Sequence, residues 1–180
     1  ATLIGPSTAK NFSTSPSSYF DGAVFMRRNS RLTLLNSLII AQQHPYAVVT
    51  TPTTVNKVAN TPGLSPDSIL ISYNIFQTNS VNPVVSSTIE GNPVPVATTT
   101  NNALLGIIGN NANKNTALGS FNDFKLTAEL RNTTVSPSYT GGANLAALGV
   151  PFFQGTTERG AVISSDPWTS TGNWISIAAN

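Results

Sequence analysis

The chain has 180 residues but few charges, nine Lys or Arg and seven Asp or Glu, or 9%, against about 25% in an ordinary soluble domain. Small neutral polar residues stand in their place: 20 Ser, 23 Thr and 20 Asn. With 39% apolar residues and a net charge of +2, this composition excludes a conventional disordered chain and a helical coiled coil. The longest apolar run, Leu145 to Phe153, is too short for a membrane-spanning helix.

The length fits one domain, which buries about 70% of its unfolded surface and needs no covalent staple. Indeed no cysteine is present, which removes thiolate chemistry, zinc fingers and iron–sulfur clusters. Ala1 rather than Met begins the sequence, as expected after loss of a leader or an initiator Met.

In chain order, residues 1–20 are expected to form an extended arm: an apolar tip at Leu3 and Ile4, then a Ser-, Thr- and Pro-rich stretch. A compact body follows over residues 21–180, opening with Ala23 to Met26. Ser30 is placed to cap a helix on which Leu32, Leu35, Leu38, Ile39 and Gln42 share a face, ended by His44-Pro45. The crowding of Arg27, Arg28 and Arg31 at its start opposes the helix dipole.

Beyond Pro45 the pattern predicts strands. Tyr46 to Thr51 is rich in β-branched residues, and Ser68 to Gln77 alternates Ile69, Ile71, Tyr73 and Ile75 against Ser72 and Asn74. Val84 to Ile89 and Val94 to Thr98 read as a hairpin around Glu90 to Pro93, its second strand held to a sheet edge by Pro93 and Pro95. Leu104 to Ile108 is a short buried run. Phe124 to Arg131 alternates most cleanly of all, and Ala161 to Ser164 and Trp174 to Ala178 complete the set. Eight or nine short strands, no visible internal repeat and at most one short helix predict an all-β fold, a single antiparallel β-sandwich or jelly roll with an N-terminal arm. The lack of a repeat weighs against β-helices and propellers.

The few charges form no catalytic pattern. His44 is the single histidine, no G-x-S-x-G or phosphate loop occurs, and no two carboxylates lie within five positions of each other. Glu129 with a second acid could serve glycoside hydrolysis, but a solvated strand face beside Lys125 and Arg131 is the better reading. No catalytic residue, metal site or cofactor is therefore expected. Arg27, Arg28 and Arg31 are the one concentration of charge, suited to contacts between subunits or to nucleic acid. Trp168, in a loop, is the best candidate for stacking on a sugar. Asn11 and Asn132 head N-glycosylation triplets that composition alone accounts for.

Function is read from the missing charge. Thr, Ser and Asn desolvate more cheaply than Lys or Glu, so such a surface suits burial against other copies. The tip of the arm, Ala1, Thr2, Leu3, Ile4 and Gly5, could add as a strand to a neighbour's sheet. These features point to a non-enzymatic structural subunit of an extracellular filament or surface layer, with copies of itself as partners. A viral coat protein in a virion, with nucleic acid as partner, and a secreted glycan-binding module are the alternatives.

Overall fold

Leu34 and the whole run from Asn36 to Ala41 are buried. A helix on a protein surface leaves one side to water, whereas a strand covered on both faces leaves none. In the structure, a computed structural model, this segment is two strands and not a helix. The structure describes residues 1–5, 23–26, 30–42, 47–50, 68–78, 86–89, 92–95, 106, 109–128, 130–148 and 155–165. Strands β1 (Thr2–Ile4), β2 (Val24–Met26), β3 (Thr33–Leu35), β4 (Leu38–Ile40), β5 (Val48–Thr50), β6 (Leu70–Ser72), β7 (Ile75–Gln77), β8 (Ser86–Ile89), β9 (Asn92–Pro95) and β10 (Thr116–Leu118) follow one another along it.

Their pairing overturns the antiparallel sandwich and the jelly roll. One sheet runs β1-β4-β7-β10, with every pairing parallel. A second runs β2-β5-β8-β9 and a third pairs β3 with β6; the β2–β5, β5–β8 and β3–β6 pairings are parallel too. Through its first two turns the chain visits the three sheets in the same order. It therefore winds as a parallel coil in which each turn lays new rungs beside the last. Turns of the first sheet begin at Thr2, Leu38, Ile75 and Thr116, and hydrogen bonds at the adjacent corner span 36, 37 and 41 residues. Parallel neighbours need such long connections, whereas antiparallel ones are joined by short turns. Among the described strands only β8 and β9 pair antiparallel. They form a hairpin as expected, but its second strand begins at Asn92, inside the expected turn, and β9 lies at the edge of its sheet among the described strands.

The first sheet is apolar on both sides. Ile39 and Phe76 face inward with Val24, Met26, Leu34, Ala47, Val48, Ile69 and Ile71. Leu38, Ile40 and Ile75 face outward, where Phe124 closes on them with Leu118 and Leu126 alongside. Each fully buried Leu, Ile or Phe stabilises the fold by about 1.5–3 kcal/mol, so the two faces together make this sheet the spine of the molecule.

Other expected elements are also corrected. Ser68 to Gln77 is not one strand, because Tyr73 takes a φ of 59° between β6 and β7, and Ser72 and Asn74 are buried rather than solvated. Phe124 to Arg131 is no strand: Phe121–Phe124 is a 3-10 turn, and Lys125 and Leu130 have φ of 52° and 62°. Ala161 to Ser164 forms bends and turns. The expected strand at 174–178 and most of 104–108 lie outside the described residues.

Candidate functional site

Each turn of the coil leaves β3 or β6 for the first sheet through a tight corner, and the corners stack. Asn36, Tyr73 and Lys114 occupy equivalent positions, all left-handed, with φ of 47°, 59° and 54°. This conformation suits Asn and is strained for Tyr. The next residue is polar at all three levels: Ser37, Asn74 and Asn115. Asn74 Oδ1 accepts from the Ser37 main-chain N–H (2.9 Å) while Nδ2 donates to the Leu34 carbonyl (2.9 Å). One level on, Asn115 Oδ1 accepts from the Asn74 N–H (3.0 Å) and Nδ2 donates to the Ile71 carbonyl (2.8 Å). The same bonds recur with the same geometry, so this is an asparagine ladder. It satisfies the main-chain groups that the corner frees from the sheet. A second polar chain closes the far end of these strands. Gln42 Nε2 donates to the Gly5 carbonyl (2.9 Å), and the Gln42 N–H donates to Gln77 Oε1 (3.0 Å).

Loops over residues 132–148 and 155–164 lean on the outer side of this corner. Asn36 exchanges two bonds with Ala143, and the Gly160 N–H donates to the Asn36 carbonyl (2.7 Å). Asn132, 2% exposed, donates to Glu158 Oε2 and to the Arg159 carbonyl (both 2.9 Å) and accepts from Ser138 Oγ (2.6 Å). Glu158 also accepts from the Ser164 N–H and hydroxyl. Arg159 is 7% exposed; one amino group donates to the Gly141 carbonyl (2.7 Å), the other approaches Thr116 Oγ1 (3.4 Å), and Nε has no partner among the described residues. Burial pushes its pKa below the ordinary guanidinium value. Gly141 has a φ of +82°, which favours glycine, and a Cβ there would lie 2.5 Å from an Arg159 nitrogen, so that the guanidinium would have to shift. This cluster is bonded into the loops themselves, and nothing about it marks a reacting centre.

The two ends of the first sheet are different in kind. The Leu38 N–H donates to the Ala1 carbonyl (2.9 Å) and the Gly5 N–H to the Ile40 carbonyl (2.7 Å). Along a parallel strand, alternate residues bond the same neighbour. Leu3 therefore bonds β4, and the main-chain groups of Thr2 and Ile4 point away from the sheet. At the other end the Thr116 N–H donates to the Asn74 carbonyl (2.9 Å). Thr116 and Leu118 thus bond β7, and the main-chain groups of Ala117 point outward. Among the described residues no strand pairs with either outer edge. Ile4 is 40% exposed, and Thr116 and Ala117 are exposed.

No family model, curated protein or solved structure matches this chain.

The residues singled out from the sequence do not converge. Ala1 to Gly5, expected as an arm for a neighbour, supply the first rung of the chain's own sheet. Arg31 is exposed just ahead of β3, its guanidinium near the Ser30 carbonyl. Arg27, Arg28, Trp168, Asn11, His44 and Glu129 lie outside the described residues. Asn132 is enclosed and bonded at both ends of its amide, which leaves no room for a glycan on the folded chain. Among the described residues no group of His, Asp or Glu could hold a metal ion, and no helix is long and apolar enough to cross a membrane. Sequence reasoning missed the ladder of Asn74 and Asn115 and the buried Arg159. The spacing from 37 to 74 to 115 was the available signal, hidden among 20 asparagines.

Proposed function

We propose that this protein is a non-enzymatic structural subunit that assembles with copies of itself into a filament or layer outside the cell. The observation that carries this reading is the pair of strand edges, unpaired among the described residues, at opposite ends of one parallel sheet. Proteins that stay monomeric guard such edges with Lys, Pro, bulges or a covering loop. Here Thr2-Leu3-Ile4 and Thr116-Ala117-Leu118 contain no charge and no proline. Their hydroxyl and aliphatic side chains lose little on leaving water, and the low overall charge does not hold copies apart. Sedimentation velocity with electron microscopy of the purified chain tests this. The expected result is concentration-dependent growth into filaments or sheets free of nucleic acid. A sharp monomer boundary across the whole accessible concentration range overturns it, as do closed shells that carry nucleic acid.

A further inference from the structure

Assembly of some kind is the reading above; the hydrogen-bonding pattern goes further and specifies which surfaces meet and in what register. We propose that copies join head to tail through the first sheet, with β1 of one copy laid parallel on β10 of the next. Thr2 then pairs with Thr116, Leu3 with Ala117 and Ile4 with Leu118. This inference rests on the assembly reading.

Three observations carry it. First, the bonding alternation runs unbroken through the sheet. The middle residue of each strand bonds the first and third residues of the next: Leu3 with Leu38 and Ile40, Ile39 with Ile75 and Gln77, Phe76 with Thr116 and Leu118. Ala117 is the next middle residue and its groups face outward. Thr2 and Ile4 are the first and third residues of β1, and theirs face outward as well. The two edges are complementary, and a second copy supplies the groups that the pattern calls for. Two copies of β1 facing each other, or two of β10, would run antiparallel and break the alternation.

Second, the side chains continue their columns. Thr116 stacks on Thr2, so a hydroxyl column forms. Leu3 covers the small Ala117 at the end of the inner column that contains Ile39 and Phe76. Ile4 meets Leu118, which already packs with the outer cluster of Leu38, Ile40, Ile75 and Phe124. None of the six side chains that meet is charged, and the one buried charge beside them is Arg159, which already donates to Thr116 Oγ1 within its own subunit. Third, the two surfaces lie on different ends of one chain, so the contact is heterologous. Such a contact propagates into an open fibre unless rotation closes a ring.

The occupant has a dimension. Four rungs of this sheet, at about 4.8 Å each, give an axial rise of about 19 Å per subunit along the fibre.

The test uses Ala117→Pro and Ile4→Pro. Both N–H groups face outward, so proline at either position removes an edge donor and leaves the pairing inside the subunit intact. Filaments of the unaltered chain are expected to diffract at 4.7–4.8 Å along the axis and to show the rise of about 19 Å in electron micrographs. Each variant is expected to raise the concentration needed for assembly at least tenfold while keeping the far-ultraviolet circular dichroism of the parent. Mixed one to one, the variants still hold one intact edge each, and they are expected to form a dimer that neither forms alone. Where a proline variant loses its dichroism, Ile4→Lys and Ala117→Lys repeat the comparison by placing a charge in the contact. A parent that stays monomeric overturns the assembly reading and this contact with it. A parent that assembles while both variants assemble equally well overturns the contact alone, as does a mixture that remains monomeric.

Discussion

The spine and the outer loops are built from similar residues and held in opposite ways. In the spine, Leu38–Ile40 and Ile75–Gln77 are wholly buried, and the two side-chain bonds of Asn74 at the corner recur one turn later at Asn115. In the loops, Asn132, Ser138, Glu158 and Arg159 are joined by bonds that occur once each, and Val162 is the one fully enclosed apolar residue there among the described residues. The difference teaches where the stability resides. Repetition lets one apolar layer support the next, whereas a singular polar network gains only about 1 kcal/mol per net bond and is left with orphaned groups whenever a member is lost.

That contrast can be broken at four points, taken from the largest expected effect. Phe76→Ala removes the largest inward-facing side chain of the spine and is expected to destabilise the chain by about 3–5 kcal/mol, read from the midpoint of chemical unfolding. Asn74→Ala takes out the centre of the ladder and leaves the Ser37 N–H and the Leu34 carbonyl without their partner. A loss of about 2–3 kcal/mol is expected, and a loss under 0.5 kcal/mol would mean that water replaces the ladder freely. Asn132→Ala strikes the loops. Global stability should fall by about 1 kcal/mol or less, while amide exchange accelerates over residues 132–162 and the rung amides stay protected. Equal acceleration in both regions would show that loops and spine unfold together. The smallest effect is a gain: Tyr73→Asn places a residue that tolerates the left-handed corner where Tyr is strained, and should raise stability by about 0.5 kcal/mol.

Local structure was legible in the sequence wherever water sees one side of a strand or a turn residue marks its end. The strand at Val48–Thr50 was readable from its β-branched residues, and the hairpin of Ser86–Ile89 with Asn92–Pro95 from the turn signal that begins at Glu90-Gly91. The spine was not. In Leu32 to Gln42, β4 is buried on both faces and so shows no alternation, the leucines and isoleucines fall at a spacing that also satisfies a helix, and the left-handed turn at Asn36 separates the two strands. Phe124 to Arg131 shows the converse error. Its alternation is clean, yet Phe124 alone is fully buried there, and the positive φ at Lys125 and Leu130 prevents pairing. The repeat escaped notice because turns of unequal length share few identities. Leu34 to Ile40, Ile71 to Gln77 and Ala112 to Leu118 are equivalent, but what recurs is a left-handed third residue and a polar fourth one. Parallel pairing leaves no local mark at all, since its partner lies more than 20 residues away. Of the candidate site, Ala1 to Gly5 was legible as a strand-forming segment, but one expected in a neighbour's sheet, whereas it pairs with β4 of its own chain; the edge at Ala117 was not legible, because it follows only from knowing what β10 pairs with.

The parallel register of the coil underlies both the open edges and the contact proposed between copies, and disulfide trapping tests it most directly. The chain has no cysteine of its own, so an introduced pair is unambiguous. Gln77 and Leu118 are direct neighbours in the register, with Cα atoms about 4.8 Å apart, within disulfide range. Thr116 lies on the same face two residues away, beyond that range. Gln77→Cys with Leu118→Cys is expected to oxidise to an intramolecular disulfide in nearly every molecule, and Gln77→Cys with Thr116→Cys to remain reduced under the same conditions. Equal trapping of both pairs, or of neither, would contradict the stacked parallel coil.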